Sequence, residues 1–111
     1  MDEQKRDEYL RLRIKAEGFR CNGTMIPAQT ADALCAYAIY GTPPGGFLIG
    51  VLTNDLRETM ISADPENLKV LLVTVCFVNQ VLPFECHGSI RQVIEWLQKH
   101  AAALEAEEKK P

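Results

Sequence analysis

The fold is organised around the stretch AYAIYGTPPGGFLIGVLTND, which covers residues 36–55. One apolar pattern with helical spacing ends at Gly41, and a second pattern begins at Gly46. The residues between them, TPPG at 42–45, combine prolines that fix φ with a glycine that permits a sharp turn. The stretch therefore predicts two helices joined by a tight corner.

Length and composition place the chain among ordinary globular domains. Its 111 residues suit one domain, with 47% hydrophobic and 24% charged residues. No apolar run is long enough to span a membrane, and the start MDEQKR is too polar for a secretory signal. The net charge of −3 disfavours nucleic-acid binding, which usually needs a basic surplus. We expect a cytoplasmic protein with no membrane partner.

Helical periodicity predicts an all-α compact bundle of about five helices in a single domain, residues 1–111. The first helix covers 1–18, and the second ends at Gly41. The third is expected to run unbroken over 46–62, with one apolar face. That face comprises Leu48, Val51, Leu52, Leu56, Thr59 and Met60.

The segment LKVLLVTVCFVNQVL at residues 68–82 is open to two interpretations. Its β-branched residues suit a buried strand, whereas its length and the preceding Asp64-Pro65 start favour a helix. Apolar residues all round the segment predict the central, buried helix of the bundle. Pro83 ends it in either case.

Ser89 and Gln92 form a capping-box pattern that opens the last helix. Residues 105–111 are charged and predict a solvated tail, and residues 19–26 predict a loop or short hairpin. The apolar surplus of the chain predicts a homo-oligomer. The inward stripe of the last helix is expected to comprise Ile90, Val93, Ile94, Leu97, Ala101 and Leu104.

The corner is also the first candidate binding site. A helix N-terminus preceded by glycine can bind an anion, although no Gly-Lys-Ser/Thr follows and no strand precedes it. A rigid structural corner is the alternative. An aromatic pair beside an amide could also contact a nucleobase. The candidate partner- or ligand-binding residues are Tyr40, Thr42, Pro43, Pro44, Gly45, Gly46, Phe47 and Asn54.

Asp55 is the unusual polar residue of the predicted third helix. A helical wheel places it near the middle of the apolar face, where a carboxylate needs a partner. Arg20 and Arg91 are the candidate partners. We expect Asp55 to be a structural polar group.

Catalysis and metal binding are not expected. The two histidines show no spacing typical of nucleophilic catalysis, and the four cysteines show no zinc-binding spacing. Cys86-His87 would supply only two of the roughly four ligands that a structural zinc site needs. We expect no cofactor, and no disulfide in a cytosolic chain.

Five motifs are shared with a known group of proteins: YGxPxGxFL at 40–48, VLxNDL at 51–56, ADxxN at 63–67, LPxxCxGS at 82–89 and WL at 96–97. Through them, the chain resembles small accessory proteins of tailed bacteriophages and prophages. Several members carry tryptophan at the position of His87, which argues against a shared role for that side chain.

The resemblance implies a protein that acts by stoichiometric binding rather than by catalysis. It implies a host protein as the partner, in particular a component of anti-phage defence. Two alternatives remain open from the residues themselves. The chain could sequester an anionic nucleotide signal at the glycine-rich helix start, or it could be a regulatory DNA-associated subunit.

Overall fold

The computed structural model describes residues 3–108, and seven α-helices and one short hairpin account for most of this range. The all-α class is confirmed, with seven helices where five were predicted. Residues 1, 2 and 109–111, at the ends of the predicted first helix and tail, lie outside the described range. The elements are α1 Glu3–Gly18, β1 Arg20–Cys21, β2 Thr24–Met25, α2 Ala28–Tyr40, α3 Gly46–Leu52, α4 Leu56–Ser62, α5 Pro65–Lys69, α6 Leu71–Val81, a 3₁₀ turn Phe84–Cys86, and α7 Ile90–Glu108.

The predicted unbroken helix over 46–62 is wrong, because the chain turns sharply between α3 and α4. Asn54 adopts a left-handed φ of 59°. Its N–H donates to the carbonyl of Val51, and the N–H of Asp55 donates to the carbonyl of Gly50, which is the Schellman pattern that ends a helix. Asp55 then begins α4 by accepting the N–H of Glu58 at 3.0 Å.

This break divides the predicted apolar face. Leu48 and Leu52 on α3 are buried, but Leu56 and Met60 on α4 are 73% and 47% exposed. The break also lets α4 fold back onto α3. A Cβ added at Gly50 would lie 2.5 Å from the backbone nitrogen of Thr59, so the two backbones nearly touch.

Segment 68–82 is helical, as favoured, but it is not the central buried helix. A break at Val70 separates α5 from α6, and α6 exposes Leu72, Asn79 and Gln80. Only one of its faces enters the core. Among the described helices α2 contributes the most buried residues, because its small side chains let neighbouring elements approach closely. These residues are Thr30, Ala31, Leu34, Cys35, Tyr37 and Ala38.

The predicted caps are confirmed. The Asp64 carboxylate accepts the N–H of Asn67 at 2.7 Å, and the Ser89 hydroxyl accepts the N–H of Gln92 at 3.2 Å. Gly41 ends α2 with a φ of 69°. Residues 19–26 contain the antiparallel hairpin β1–β2 around an Asn22–Gly23 turn. Local backbone chemistry in the sequence therefore places most helix ends correctly.

The inward stripe predicted for α7 is largely wrong. Ile90 and Leu104 are each 58% exposed and Ile94 is 45% exposed, whereas Val93 is buried. The face that packs follows the spacing 93, 96, 97, 100, because Trp96 and His100 lie against the end of α2. The tail residues 105–107 are exposed, as expected, but they continue α7.

Tyr37 joins three parts of the fold. Its hydroxyl donates to the carbonyl of Cys86 at 2.6 Å, and its own carbonyl accepts the indole N–H of Trp96 at 3.1 Å. The side chain is fully buried, and burial raises the pKa of the phenol. One residue of α2 thus holds both the 3₁₀ turn and α7.

His100 makes the stability of this junction dependent on pH. Its Nε2 is buried and has no hydrogen-bond partner among the described residues. Burial lowers the pKa of His100, and the positive charges of Lys5 on α1 and Lys99 on α7 lower it further. The unfolded chain therefore takes up a proton more readily than the folded chain.

We expect the stability contributed by neutral His100 to be fully present above the ordinary histidine pKa of about 6.5 and to be lost as the pH falls below it. The free energy of unfolding measured between pH 7.5 and 5 should fall in the wild type. His100→Phe should fall less steeply, because it keeps the ring and removes the titrating group. Parallel curves for the two proteins would contradict this assignment.

Candidate functional site

The corner between α2 and α3 separates the predicted site residues by exposure. Thr42, Pro43, Gly45 and Gly46 are exposed and Pro44 is half-buried, whereas Phe47 is buried at 6% exposure. The Tyr40 ring lies 5.8 Å from the ring of Tyr9. The structure therefore presents the backbone of the corner to solvent and places the Phe47 ring in the core.

A shallow hollow of about 280 Å³ lies beside this corner. Neither lysine nor arginine lines it, and the Glu58 carboxylate lies near Gly46, where it accepts the hydroxyl of Ser62 at 2.8 Å. This negative charge disfavours a phosphate. In addition, α3 has only seven residues, so its N-terminus offers little further attraction for an anion. The hollow is lined by Gln29, Thr30, Gly45, Gly46, Phe47, Leu48, Ser62 and Asn67.

A deeper cleft lies on another side of α3. Its volume is about 500 Å³, and it is formed by the end of α3, by α4 and α6, and by the two residues that follow the 3₁₀ turn. The N–H of Gly88 donates to the carbonyl of Leu52 at 2.7 Å and closes this side. The cleft is lined by Gly50, Val51, Asn54, Asp55, Leu56, Thr59, Leu71, Val75, Val78, Asn79, His87 and Gly88.

The cleft combines apolar walls with a few polar side chains. Branched aliphatic side chains from α3, α4 and α6 form the walls. The polar side chains are those of Asn54, Asp55, Thr59, Asn79 and His87. Among these described lining residues, Asp55 alone is an acid, and none is a lysine or an arginine. The Nε2 of His87 is buried without a hydrogen-bond partner among the described residues. An apolar cavity with few polar groups is the usual form of a binding site.

Asp55 has a structural role, but in a different place from the one predicted. It is exposed at the start of α4, where its Oδ1 accepts the N–H of Glu58. Neither predicted arginine pairs with it, since Arg20 donates to the carbonyls of Glu17 and Phe19 and Arg91 pairs with Glu95. The helical-wheel prediction is wrong because the residues before Asp55 belong to α3 and those after it belong to α4.

The structure brings Asn54 together with Asp55 and separates it from the corner. The sequence prediction grouped Asn54 with Phe47 and Tyr40, because it assumed a continuous helix. It missed Val75, Asn79 and His87 as site residues. No local pattern marks these three, because they reach the cleft only through the packing of α6 and the 3₁₀ turn.

The buried cysteines Cys35 and Cys86 are poorly suited to nucleophilic catalysis or metal binding. Burial raises the pKa of the Cys86 thiol to about 12 and that of Cys35 to about 11. A thiol with such a pKa is a weak nucleophile and a weak metal ligand at neutral pH. Within residues 3–108, no three His, Cys, Asp or Glu side chains lie close enough together to hold a metal ion.

Comparisons with protein-family models, with curated proteins and with solved structures find no match. In the part of the chain that the structure describes, no helix is both long and apolar enough to cross a membrane. The cleft and the corner are therefore interpreted from their own geometry.

Proposed function

We propose that the chain is a non-enzymatic binding protein, and that its cleft receives an apolar side chain of a partner protein. The observation that supports this is the 500 Å³ cleft with aliphatic walls and one carboxylate. Binding hot spots are typically large side chains that enter well-packed pockets and are surrounded by contacts that exclude water. The cleft is large enough for one aromatic or long aliphatic side chain and part of its backbone.

The partner segment should carry a lysine or arginine next to its apolar anchor. Asp55 gives the cleft its negative charge. Its Oδ1 accepts the N–H of Glu58 in the helix cap, and none of the ion pairs among the described residues involves its carboxylate. Charge complementarity of this kind selects partners and steers their association. The amides of Asn54 and Asn79 can both donate to and accept from the partner backbone.

The exposed surface around the cleft extends the apolar contact. Leu56 lines the cleft and is itself 73% exposed. Exposed apolar surface rimmed by polar residues is typical of protein-binding sites. Other large apolar residues are also exposed, such as Phe84 and Ile94. They support a homo-oligomer that is formed through a surface other than the cleft.

The identity of the partner class rests on the resemblance to phage accessory proteins. It favours a component of a bacterial host, bound in the cytoplasm and inhibited by occupancy of its surface. The structure gives less support to nucleotide sequestration at the corner and to a DNA-associated subunit. The acid Glu58 of α4 lies beside the corner, and Arg13 of α1 forms ion pairs with Asp32 and Glu17 rather than being free to contact DNA.

Selection of peptides from a random displayed library tests the proposed cleft directly. We expect the wild type to select sequences that pair a large apolar residue with lysine or arginine. Leu56→Lys should bind these peptides at least about tenfold more weakly, which corresponds to about 1.4 kcal/mol. Ile14→Lys on α1 is the matched control, since Ile14 is 68% exposed and lies outside the cleft, and it should bind normally.

Asp55→Asn separates the charge of Asp55 from its structural role. Asparagine caps a helix about as well as aspartate, so the fold should persist. We expect weaker binding of the basic peptides and a smaller dependence of affinity on salt.

Sedimentation equilibrium of the wild type and Leu56→Lys shows whether a second copy of the chain fills the cleft. Equal peptide binding by all variants, or dimer loss in Leu56→Lys, would contradict a partner-protein site.

A further inference from the structure

We propose that Cys21 and Cys76 are a modification site that closes to an intramolecular disulfide on reaction with a low-molecular-weight disulfide such as oxidised glutathione. This inference is independent of the cleft. Cys21 lies on β1 and Cys76 on α6, and their Sγ atoms are 3.6 Å apart. Both cysteines are partly exposed and both are reduced thiols.

The fold brings these two distant positions together by packing β1 against α6. Phe19, just before β1, meets Phe77 of α6 edge to face with ring centroids 5.4 Å apart. This aromatic contact holds β1 beside α6, next to Cys76. The Cys21 thiol donates a hydrogen bond to the Cys76 sulfur, so the two side chains point at each other.

Closing the bond needs a small movement that the hairpin can make. A disulfide has an S–S distance of about 2.05 Å, so the two sulfurs must approach by roughly 1.5 Å. The turn residues Asn22 and Gly23 are exposed, and each strand has only two residues. A hairpin this short and exposed is held mainly by its contact with α6 and can shift without disturbing the core.

The exchange is balanced in two steps. The thiolate of one cysteine attacks a sulfur of glutathione disulfide, which breaks the glutathione S–S bond and releases one glutathione thiolate. The second cysteine then attacks the protein sulfur of this mixed disulfide and releases the other. The protein loses two electrons and two protons, glutathione disulfide gains two electrons, and the two released thiolates take up protons to form glutathione.

A metal is a poorer occupant of this pair. Structural zinc sites use about four ligands, and no third His, Cys, Asp or Glu joins Cys21 and Cys76 in the described residues. The hydrogen bond to Cys76 is the main cause that raises the pKa of Cys21. The exchange should therefore be faster at alkaline pH, because the attacking species is the thiolate.

Mass spectrometry of the protein treated with glutathione disulfide tests the proposal. We expect the loss of two hydrogen atoms per chain and a cross-linked peptide that joins Cys21 to Cys76. Cys35 and Cys86 are fully buried and should react with a thiol label only after unfolding. Cys21→Ser should stop at a stable glutathione adduct on Cys76, and Cys76→Ser should stop at an adduct on Cys21.

Oxidation should also raise the melting temperature of the wild type, by roughly 5–20 °C, since the bond closes a long loop. The double variant Cys21→Ser/Cys76→Ser should show no change with oxidant. Adducts without a cross-link in the wild type, a disulfide that uses Cys35 or Cys86, or only intermolecular dimers would each overturn the proposal.

Discussion

Replacing Gly50 by alanine is expected to cost about 2–4 kcal/mol of folding free energy, because the new methyl group has no room. Its Cβ would lie 2.5 Å from the backbone nitrogen and from the Oγ1 of Thr59. Backbone cannot rotate away as a flexible side chain can, so α3 and α4 would have to separate. Chemical denaturation of the purified variant measures the loss.

Gly45→Ala is the matched control for this substitution. A Cβ at Gly45 meets nothing within 4 Å, and its φ of −71° is open to any residue. Its stability should stay within about 1 kcal/mol of the wild type, which is the usual cost of placing alanine at a helix N-cap. Equal losses at Gly45 and Gly50 would show that α3 and α4 do not cross closely at Gly50.

Truncating Tyr37 to alanine should cost about 3–5 kcal/mol, because it leaves a cavity in the core and removes a buried hydrogen bond. Tyr37→Phe isolates the second of these effects. It keeps the ring and leaves the buried carbonyl of Cys86 without the hydroxyl that now donates to it at 2.6 Å. We expect Tyr37→Phe to cost about 1–3 kcal/mol.

Tyr40→Phe provides the comparison for the hydroxyl deletion. Tyr40 is 37% exposed at the end of the same helix, and its ring rather than its hydroxyl makes the described contact with Tyr9. Its loss of stability should be within about 0.5 kcal/mol. If Tyr37→Phe were as stable as Tyr40→Phe, the hydroxyl of Tyr37 would not hold the 3₁₀ turn against α2.

The sequence predicts helix ends well where one residue has a distinctive backbone preference. Gly41, Asp64 and Ser89 each end or begin a helix as expected, because these ends depend on local hydrogen bonds. The break after α3 could have been predicted from the sequence. Asn54 followed by Asp55 and Glu58 is a helix stop followed by a helix start, but the apolar spacing across it suggested continuity.

The face that a helix buries is harder to predict than its ends. On α7, the apolar residues Ile90 and Ile94 suggested the inward side, whereas Trp96 and His100 make the contacts with α2. Periodicity alone fixes a stripe but does not say which neighbour will meet it. The indole of Trp96 combines a large apolar ring with an N–H donor, and it packs against the core while donating to the carbonyl of Tyr37.

The candidate site was predictable only in part for the same reason. The sequence predicts Asn54 as a binding residue of the corner and Asp55 as a structural polar group, and both line the cleft instead. Asn79 and His87 come from distant elements and carry no local signal. Asn79 lies on α6 and His87 follows the 3₁₀ turn, so their place in the cleft depends on how these elements pack rather than on any motif.

Chemical-shift mapping of the labelled protein with a selected basic-apolar peptide tests the central claim most directly, because it locates the contact by residue. We predict that the largest perturbations fall on the backbone amides of the cleft, at Asn54, Val75, Asn79 and Gly88, and that Asp55→Asn reduces them. Perturbations confined to the corner at residues 42–46, with the cleft unchanged, would contradict the cleft as the binding site.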